Sequence, residues 1–535
     1  MPRVTVRNVG ALGVIPDLDQ PPHEMPPEAW SRVQNINFID GSARRALGES
    51  AVEGAPSVVP TYLFPAASFT SSLWVYTNLL KVFAVVGGVH TNITRQTAAV
   101  DVDYTGALDN RWNGGWLGGV MILNNGVDDP QNWNPIATGT KLIVLPNWPA
   151  STTARTIRVY RNFLVALDVT KAGTRFPTMI KWSHPAEPGT IPVSWDETDA
   201  TKLAGEKSQS ETPGFLVDAA PIGASLMVYK EDAVIRMDRI PTNDVFGFKH
   251  LSTRAGLMGI DCAKEFLPGK QIAFTLDADV MVTDGQQMSS VTDRQVRAHL
   301  ESLVDGANRG RSFVVVDPLS RQVFVCFPEQ GKTYCTKAAI WNWEDNTWSF
   351  KQISDTVDIK SGIYDESAPS ETWNSDSEVW DADVTTWNER LYKALAYKML
   401  GAFVTDNQLW EHNVSQKLGT TAYTSVLERT GLALVGQGRD GQPKVDPTSV
   451  KQVTEIWPLM SATQSMTLSV SVGAQDTPTG PITWDGPYNF DPTVDQKVDV
   501  FIEGNYIAVK FESAAETPWK FYGYGLQLDV VGEGF

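Results

Sequence analysis

The sequence predicts an all-β protein whose largest part is a β-propeller of six to eight blades. Short alternating or apolar runs, rich in β-branched and aromatic residues, recur along the whole chain. Turn-forming residues bound these runs, and the 535 residues include 42 Gly and 32 Pro. Between about residues 60 and 420 the strand–turn pattern recurs roughly every 40–60 residues, which is typical of four-stranded propeller blades. A stack of β-sandwiches would give a similar pattern.

Changes in this pattern divide the chain into three segments. Residues 1–59 form a Pro-rich arm with the first strands, and residues 16–30 carry five prolines, which predicts an extended strap. Residues 60–424 form the propeller-like body. Residues 425–535 alternate cleanly, and their last 105 positions carry six basic and 13 acidic residues. We expect this segment to be a separate, small antiparallel β domain.

Individual strands and hairpins can be assigned within these segments. The clearest hairpin is residues 311–327, where Asp317 and Pro318 begin the turn between two apolar runs. Two short helices are predicted, at residues 293–303 and 387–400. The other strand-bearing runs of the body are residues 73–76, 81–86, 156–169, 225–239, 271–282 and 338–353. Those of the C-terminal segment are residues 466–472, 498–502, 506–511 and 524–531.

Charge and cysteine content exclude several classes of protein. With 44 basic and 62 acidic residues the net charge is −18, which disfavours binding to nucleic-acid phosphates. The same charge suits a passage through which DNA slides without sticking. Three cysteines rule out a disulfide framework, and we expect three free, buried thiols, with a single Cys326–Cys335 bridge as the alternative. No apolar run reaches membrane-helix length and no signal-peptide pattern begins the chain, so we expect cytoplasmic synthesis and no membrane insertion.

The sequence contains no recognisable catalytic, cofactor or metal motif. The six histidines are scattered and none has metal-ligand spacing. The GxGxxG match at residues 436–441 is followed by prolines rather than a helix, so we interpret it as a turn between strands. Asp277, Asp279 and Asp284 do not fit a calcium loop, and Asp284 with Gly285 predicts a hairpin turn. Asp196 with Glu197 is one unranked acidic pair among many. We therefore predict no catalytic, cofactor-binding or metal-binding residues, no cofactor and no enzymatic activity.

Residues 361–390 form an acidic segment with Trp at positions 373, 380 and 387. It carries eight acidic residues and one basic residue. The simpler interpretation is a solvated loop whose Trp side chains hold it to the body. The alternative is a partner-docking loop, because Trp is enriched at interface hot spots.

Several phrases, in order along the chain, resemble a family of virion proteins. They are the strap phrase at residues 12–38 (ending PEAWSRVQNINF), ILNNGVDDPQNW at 122–133, KWSHPAEPGTIPVSW at 181–195, LMVYKEDAV at 226–234, AIWNWEDNTWSF at 339–350 and the segment 504–535 with Trp519 and Gly523. The resemblance is carried by the ordered set of phrases. It resembles the tail nozzle, tail-hub or DNA-stabilisation proteins of short-tailed bacteriophages.

This resemblance implies a β-propeller subunit of a ring, commonly a hexamer, that lies in the phage tail below the portal and its adaptor ring. Such a head–tail connector continues the DNA channel, retains packaged DNA, lets it pass on ejection and gives tail fibres or tailspikes a docking surface. Its partners would be further copies of itself, portal and adaptor proteins, fibre proteins, and genomic DNA bound without sequence specificity. The protein would be made in the cytoplasm of the infected bacterium and end in the virion tail. The family has no catalytic residues to carry over.

Two other functions are compatible with the sequence. One is a glycan-binding or glycan-cleaving propeller, which needs convergent carboxylates or Arg residues near the propeller axis. The other is a scaffold propeller of cellular origin. The lack of sialidase-type Asp boxes and of a secretion signal counts against the first.

Overall fold

The computed structural model describes residues 3–66, 73–135, 140–242, 244–364, 396–404, 406–438 and 443–533. Nearly all regular structure in these residues is β-strand. The α-helix Arg297–Leu303 and the short 3-10 turn Arg309–Arg311 are the helical elements of the described residues. None of these helices is long and apolar enough to span a bilayer.

Five antiparallel sheets of four strands and one sheet of seven strands, which forms two blades, follow one another around an axis and make seven blades. The first strands of successive blades contact one another from blade 2 to blade 7, and that of blade 7 contacts that of blade 1. The strands run outward from the axis in the order of the chain in blades 1–6. Blade 1 consists of Tyr62–Ala66, Leu73–Thr77, Val82–Val86 and Val89–Asn92. Blade 2 consists of Asn113–Leu117, Val120–Asn124, Gln131–Trp133 and Ile143–Val144. Blade 3 consists of Thr152–Tyr160, Phe163–Lys171, Thr174–Trp182 and Gly205–Ser208. Blade 4 consists of Leu216–Ile222, Ser225–Lys230, Val234–Arg239 and Phe246–Ser252. Blade 5 consists of Ala263–Leu267, Lys270–Phe274, Val280–Thr283 and Met288–Ser290.

Blades 6 and 7 share one long strand. Blade 6 consists of Phe313–Asp317, Gln322–Phe327, Cys335–Asn342 and the first half of Thr347–Tyr364. The second half of that strand is the inner strand of blade 7, followed by Ala396–Phe403 and Leu409–His412. The fourth strand of blade 7 is Glu49–Val52, which comes from the N-terminal segment and closes the ring. The predicted propeller is confirmed by this topology, and its blade number is seven.

A β-sandwich lies beside the propeller. One sheet contains Arg3–Arg7, Ile36–Ile39, Ser42–Arg45, Ser449–Ala462, Val498–Gly504 and Trp519–Glu533. The other contains Arg32–Gln34, Ser425–Leu432, Leu468–Gln475, Thr483–Phe490 and Tyr506–Ser513. Two small hairpins complete the fold: Gln96–Thr97 with Val100–Asp101, and Leu434–Gln437 with Pro443–Val445. The sandwich therefore takes strands from both the N-terminal and the C-terminal segment.

One hydrophobic core runs through the sandwich and into blades 4–6. At its sandwich end, the fully buried Trp30 packs edge-on against Phe511, with ring centroids 6.2 Å apart. The indole N–H of Trp30 donates to the Val9 carbonyl oxygen at 2.7 Å, which satisfies its polar atom. This shared core joins the two bodies.

The Pro-rich strap, residues 16–30, is not extended as predicted. Residues 16–30 form successive turns, closed by backbone hydrogen bonds such as Ala29 N–H to Pro26 O at 3.1 Å. Proline favours these turns because it presets φ for their second position. The strap packs on its own chain, and a side chain at Gly431 would collide with Pro22 at 2.6 Å.

Other sequence predictions have clear outcomes. The hairpin at 311–327 is confirmed, and the predicted helix at 293–303 is present as Arg297–Leu303. The predicted helix at 387–400 is wrong for its described part, because residues 396–400 belong to a strand that pairs with Thr347–Tyr364. Its remaining residues, and residues 365–390 of the acidic segment, lie outside the described residues. All three cysteines are free and buried.

Candidate functional site: the ion cluster and cavity on the propeller axis

Seven charged side chains meet on the axis of the propeller. We call them the ion cluster: Arg111, Arg158, Asp218, Asp261, Lys264, Asp358 and Lys360. All come from the inner strands of the blades or from the residues just before them. The four cations exceed the three carboxylates by one charge.

Asp261 is the centre of the ion cluster. Its carboxylate accepts hydrogen bonds from the guanidinium groups of Arg111 at 3.2 Å and Arg158 at 3.0 Å. It also accepts from the ammonium groups of Lys264 at 3.0 Å and Lys360 at 2.7 Å. One buried carboxylate thus contacts cations from blades 2, 3, 5 and 7, and these contacts link the four blades across the axis.

The other two carboxylates each hold one arginine. Asp218 binds the guanidinium of Arg158 in a bidentate arrangement, with both N–O distances 2.7 Å. Asp358 accepts from Arg111 and lies 3.2 Å from the Lys360 ammonium. Bidentate Arg–carboxylate pairs fix orientation as well as charge, so the ion cluster is rigid.

The surrounding cations keep the carboxyl group of Asp261 ionised. Burial opposes the ionisation of Asp261, but the charges of Lys264, Lys360, Arg158 and Arg111 outweigh it and hold its pKa well below the usual range. Burial lowers the pKa of Lys360, against the attraction of Asp261 and Asp358. A general acid needs a raised pKa, so Asp261 does not fit that role.

A cavity of about 560 Å³ opens above the ion cluster, and we call it the axial cavity. Its floor includes Arg158, Asp261, Lys264 and Lys360. Its walls are mostly apolar and include Pro65, Trp116, Phe266, Val316, Pro318 and Tyr397. The volume lies within the range of small-molecule and peptide-side-chain pockets. Two smaller cavities, of about 220 and 190 Å³, are both lined by Asp109, Arg111 and Arg155. Side chains of the ion cluster therefore line three separate cavities.

A second buried polar group closes the ring at blade 7. The carboxylate of Glu49 lies 3.3 Å from Nδ1 of His412, and both side chains are almost fully buried. Burial raises the pKa of Glu49 to about 7, although Lys351 and Ser354 favour its ionised form. Burial also lowers the pKa of His412 well below its ordinary value. Backbone pairing holds the strand that closes the propeller, and the buried Glu49–His412 contact lies between its two paired strands.

The acidic groups discussed from the sequence have structural roles. Glu197 contacts the ammonium groups of Lys181 and Lys171, and its pKa is lowered to about 2 despite burial. Asp284 accepts two backbone N–H bonds in the predicted turn. The GxGxxG segment connects two paired strands, as interpreted, with residues 439–442 outside the described part. No group of metal-ligating side chains is present among the described residues.

The phrases that resemble the phage family lie at joints between elements. Asn35, which follows the strap in the first phrase, donates to Gln352 Oε1 at 3.1 Å and to the Thr424 carbonyl at 2.8 Å. The first of these bonds ties this phrase to the long strand shared by blades 6 and 7. Asn124 donates to the Ala154 carbonyl at 2.9 Å and joins blades 2 and 3.

The later phrases make similar joints. Trp348 donates to the Val291 carbonyl at 3.0 Å and joins blades 5 and 6. Trp195 packs against Trp148 with ring centroids 4.7 Å apart, beside blade 3. Four of the six phrases therefore supply a contact between elements.

Sequence reasoning missed the ion cluster entirely. Its members are separated by up to 249 positions and belong to no motif. The one available signal was a single charge inside an apolar strand, as at Asp218 in LVDAAPI. Such a charge indicates a buried partner but does not say which one.

Comparisons with known proteins identify no family for this chain. No family model matches the chain, and no curated protein matches it. Among solved structures, it is similar to the β-propeller domain of Cps50 (Swd1) from Myceliophteria thermophila, with 8% identity over 66% of this chain and 100% of that one and a TM-score of 0.37. It is also similar to YCF48 bound to a D1 peptide, with 9% identity over 68% and 95% and a TM-score of 0.37. The propeller assignment rests on the sheet topology.

Proposed function

We propose that this chain is a structural virion protein, a subunit of a ring in the tail of a short-tailed phage. The ring, commonly a hexamer in the family that the sequence resembles, lies below the portal and adaptor. It continues the DNA channel, retains packaged DNA, releases it on ejection and offers a docking surface for tail fibres. The observation that carries the proposal is the ordered set of phrases, which supply joints of the propeller and sandwich.

The axis of the propeller itself is not the proposed DNA channel. The ion cluster lies across it, and the axial cavity ends on that cluster. DNA would instead pass through the axis of the ring, between subunits. A net charge of −18 per chain, or about −108 for six copies, would repel phosphates from that surface rather than hold them.

The strap supplies a specific test of assembly. Deleting residues 16–30 would remove the buried Trp30 and Met25, so loss of the ring would only report misfolding. Leu18 is 62% exposed on the strap and offers a cleaner substitution. If neighbouring subunits contact the strap, Leu18→Asp should abolish the ring while the melting temperature stays unchanged. Leu319→Asp, at the similarly exposed turn of blade 6, is the matched control.

The experiment is a mass measurement followed by imaging. Light scattering of the purified protein, and negative-stain images with and without portal and adaptor proteins, should reveal a ring alone or on the adaptor. A protein that stays monomeric with those partners would contradict the proposal.

A glycan-binding propeller is the second candidate, because carboxylates and Arg residues do converge on the axis. All three carboxylates are paired with cations, so the geometry gives no support to glycan cleavage. Binding of neutral glycans by the monomer on an array would favour this candidate.

A further inference from the structure

We infer that the axial cavity is a binding site for an acidic peptide side chain flanked by aromatic residues. The inference does not depend on assembly of the proposed ring. It rests on the charges of the side chains that line the cavity, on the different numbers of partners of Lys264 and Lys360, and on the chemistry of the cavity walls.

The charged side chains that line the axial cavity carry one more positive than negative charge. Arg158, Lys264 and Lys360 are cations, and Asp261 and Glu265 are carboxylates. The carboxylate of Glu265 also accepts backbone N–H bonds from Gly223 and Gly269. An incoming carboxylate would balance the surplus charge, whereas an incoming cation would increase it.

Lys264 is the cation best placed to receive that carboxylate. Its side chain is 33% exposed, compared with 12% for Lys360 and 5% for Arg111. Within the described residues its ammonium group contacts one acceptor, Asp261, which three other cations share. An ammonium group has three donors, so Lys264 can bind a second acceptor without leaving the ion cluster.

The walls favour aromatic neighbours of the carboxylate. Trp116 lies in blade 2, Phe266 in blade 5 and Tyr397 in blade 7. Trp116 donates its indole N–H to the Pro65 carbonyl at 2.8 Å, which fixes its ring at the wall. Aromatic side chains pack well edge-on or offset against such walls. A volume of about 560 Å³ accommodates an acidic side chain with adjoining rings.

The test uses two capped tripeptides that differ in one atom group. N-acetyl-Phe-Asp-Phe-amide carries a single charge, the Asp carboxylate, and N-acetyl-Phe-Asn-Phe-amide carries none. Calorimetric titration of the full chain should show binding of the Asp peptide, and binding of the Asn peptide about tenfold weaker or more, as expected for loss of a charge-assisted hydrogen bond. This comparison needs no protein variant.

Two variants then locate the site. Lys264→Met should weaken binding of the Asp peptide about tenfold and leave the weak Asn-peptide binding nearly unchanged. Lys270→Met removes the same charge from an exposed position of the same hairpin, outside the cavity, and should change affinity less than about twofold. Tyr397→Ala, at the rim, should weaken both peptides.

Equal affinity for the Asp and Asn peptides would overturn the inference, as would the absence of any binding at millimolar peptide. Equal loss in Lys264→Met and Lys270→Met would also overturn it, because it would indicate a general charge effect. Ring formation is measured separately by mass, so failure here leaves the proposed function intact.

Discussion

The two carboxylate oxygens of Asp261 serve four cations, and this concentration of charge makes the residue sensitive to substitution. Asp261→Asn would leave Arg111, Arg158, Lys264 and Lys360 with only Asp218 and Asp358. Removing one partner of a buried ion pair typically costs about 3–5 kcal/mol, because the remaining charges stay buried and uncompensated. We expect the free energy of unfolding to fall by that amount, measured by urea denaturation with tryptophan fluorescence.

The control for this prediction is Asp129→Asn at an exposed turn, which should change stability by about 0.5 kcal/mol or less. A loss below about 1 kcal/mol in Asp261→Asn would mean that the cations relax into solvent and that the ion cluster does not hold the blades together.

Glu49 and His412 predict opposite pH effects on stability. The folded state keeps a proton on Glu49 up to about pH 7, whereas an unfolded Glu releases it near 4.5. Stability from this group is therefore present below about pH 4.5 and is lost as the pH rises to about 7. The lowered pKa of His412 acts in the other direction, because below about pH 6.5 only the unfolded state takes up its proton.

Glu49→Gln removes the first effect and leaves the second. The variant should gain stability over the wild type as the pH rises from 5 to 8, by about 2–3 kcal/mol for the shift to about 7. Melting temperatures at pH 5, 6, 7 and 8 for both proteins measure the change. A difference between the proteins that does not vary with pH would mean that Glu49 ionises normally in the fold.

At this scale the sequence predicted little of the candidate site. Nothing in the sequence distinguishes Asp218, Asp261 and Asp358 from the other acidic residues, of which the chain has 62 in all. Their partners are determined by how the blades close around the axis. The burial of the cysteines was predictable because a free thiol behaves as a small apolar group.

Among the elements, the helix Arg297–Leu303 depends on a distant segment. Its own N-cap residue, Val296, provides no side-chain cap. The carboxylate of Asp19 in the strap accepts the backbone N–H groups of Ala298 at 2.8 Å and His299 at 3.1 Å. The strap therefore caps the helix across 279 positions of sequence, a contact that no local pattern could predict.

Asp19→Ala should destabilise this helix by about 1 kcal/mol, the usual cost of losing a cap. Hydrogen exchange should become faster at residues 298–303 and stay unchanged in blade 3. Glu24→Ala, at an exposed strap position outside this contact, is the control. Unchanged exchange in Asp19→Ala would indicate that packing alone holds the helix.

The strands were largely predictable and their assignment to sheets was not. Alternation and turn residues located the hairpin at 311–327 and the strand-bearing run at 225–239, which also forms a hairpin. The strand Glu49–Val52 gave no sign that it belongs to blade 7, because pairing over more than 350 positions leaves no periodic signal. The helix predicted at 387–400 failed for its described part because pairing with the long strand overrides a weak local preference.

For the whole molecule, the net charge of −18 predicts how the proposed ring responds to salt. Equally charged subunits repel each other at low ionic strength, and salt screens this repulsion over a Debye length of about 10 Å at 0.1 M. Sedimentation velocity should show more ring, with a mass that is a multiple of 58.8 kDa, at 200 mM than at 20 mM salt. Disassembly by salt would instead indicate that contacts between opposite charges hold the ring.

The interlocking of distant strands has a consequence for how the protein is made. Arg3–Arg7 pairs with Trp519–Glu533, so the strand translated early has no partner until residues beyond 519 leave the ribosome. At about 5–20 residues per second, this wait lasts roughly 25–100 s. Blades 1–6 can form in order during that time, while Val4 and Val6 stay exposed to chaperones. A nascent chain interrupted before residue 519 would carry an unfinished sandwich, and cellular quality control could recognise it by that exposed strand.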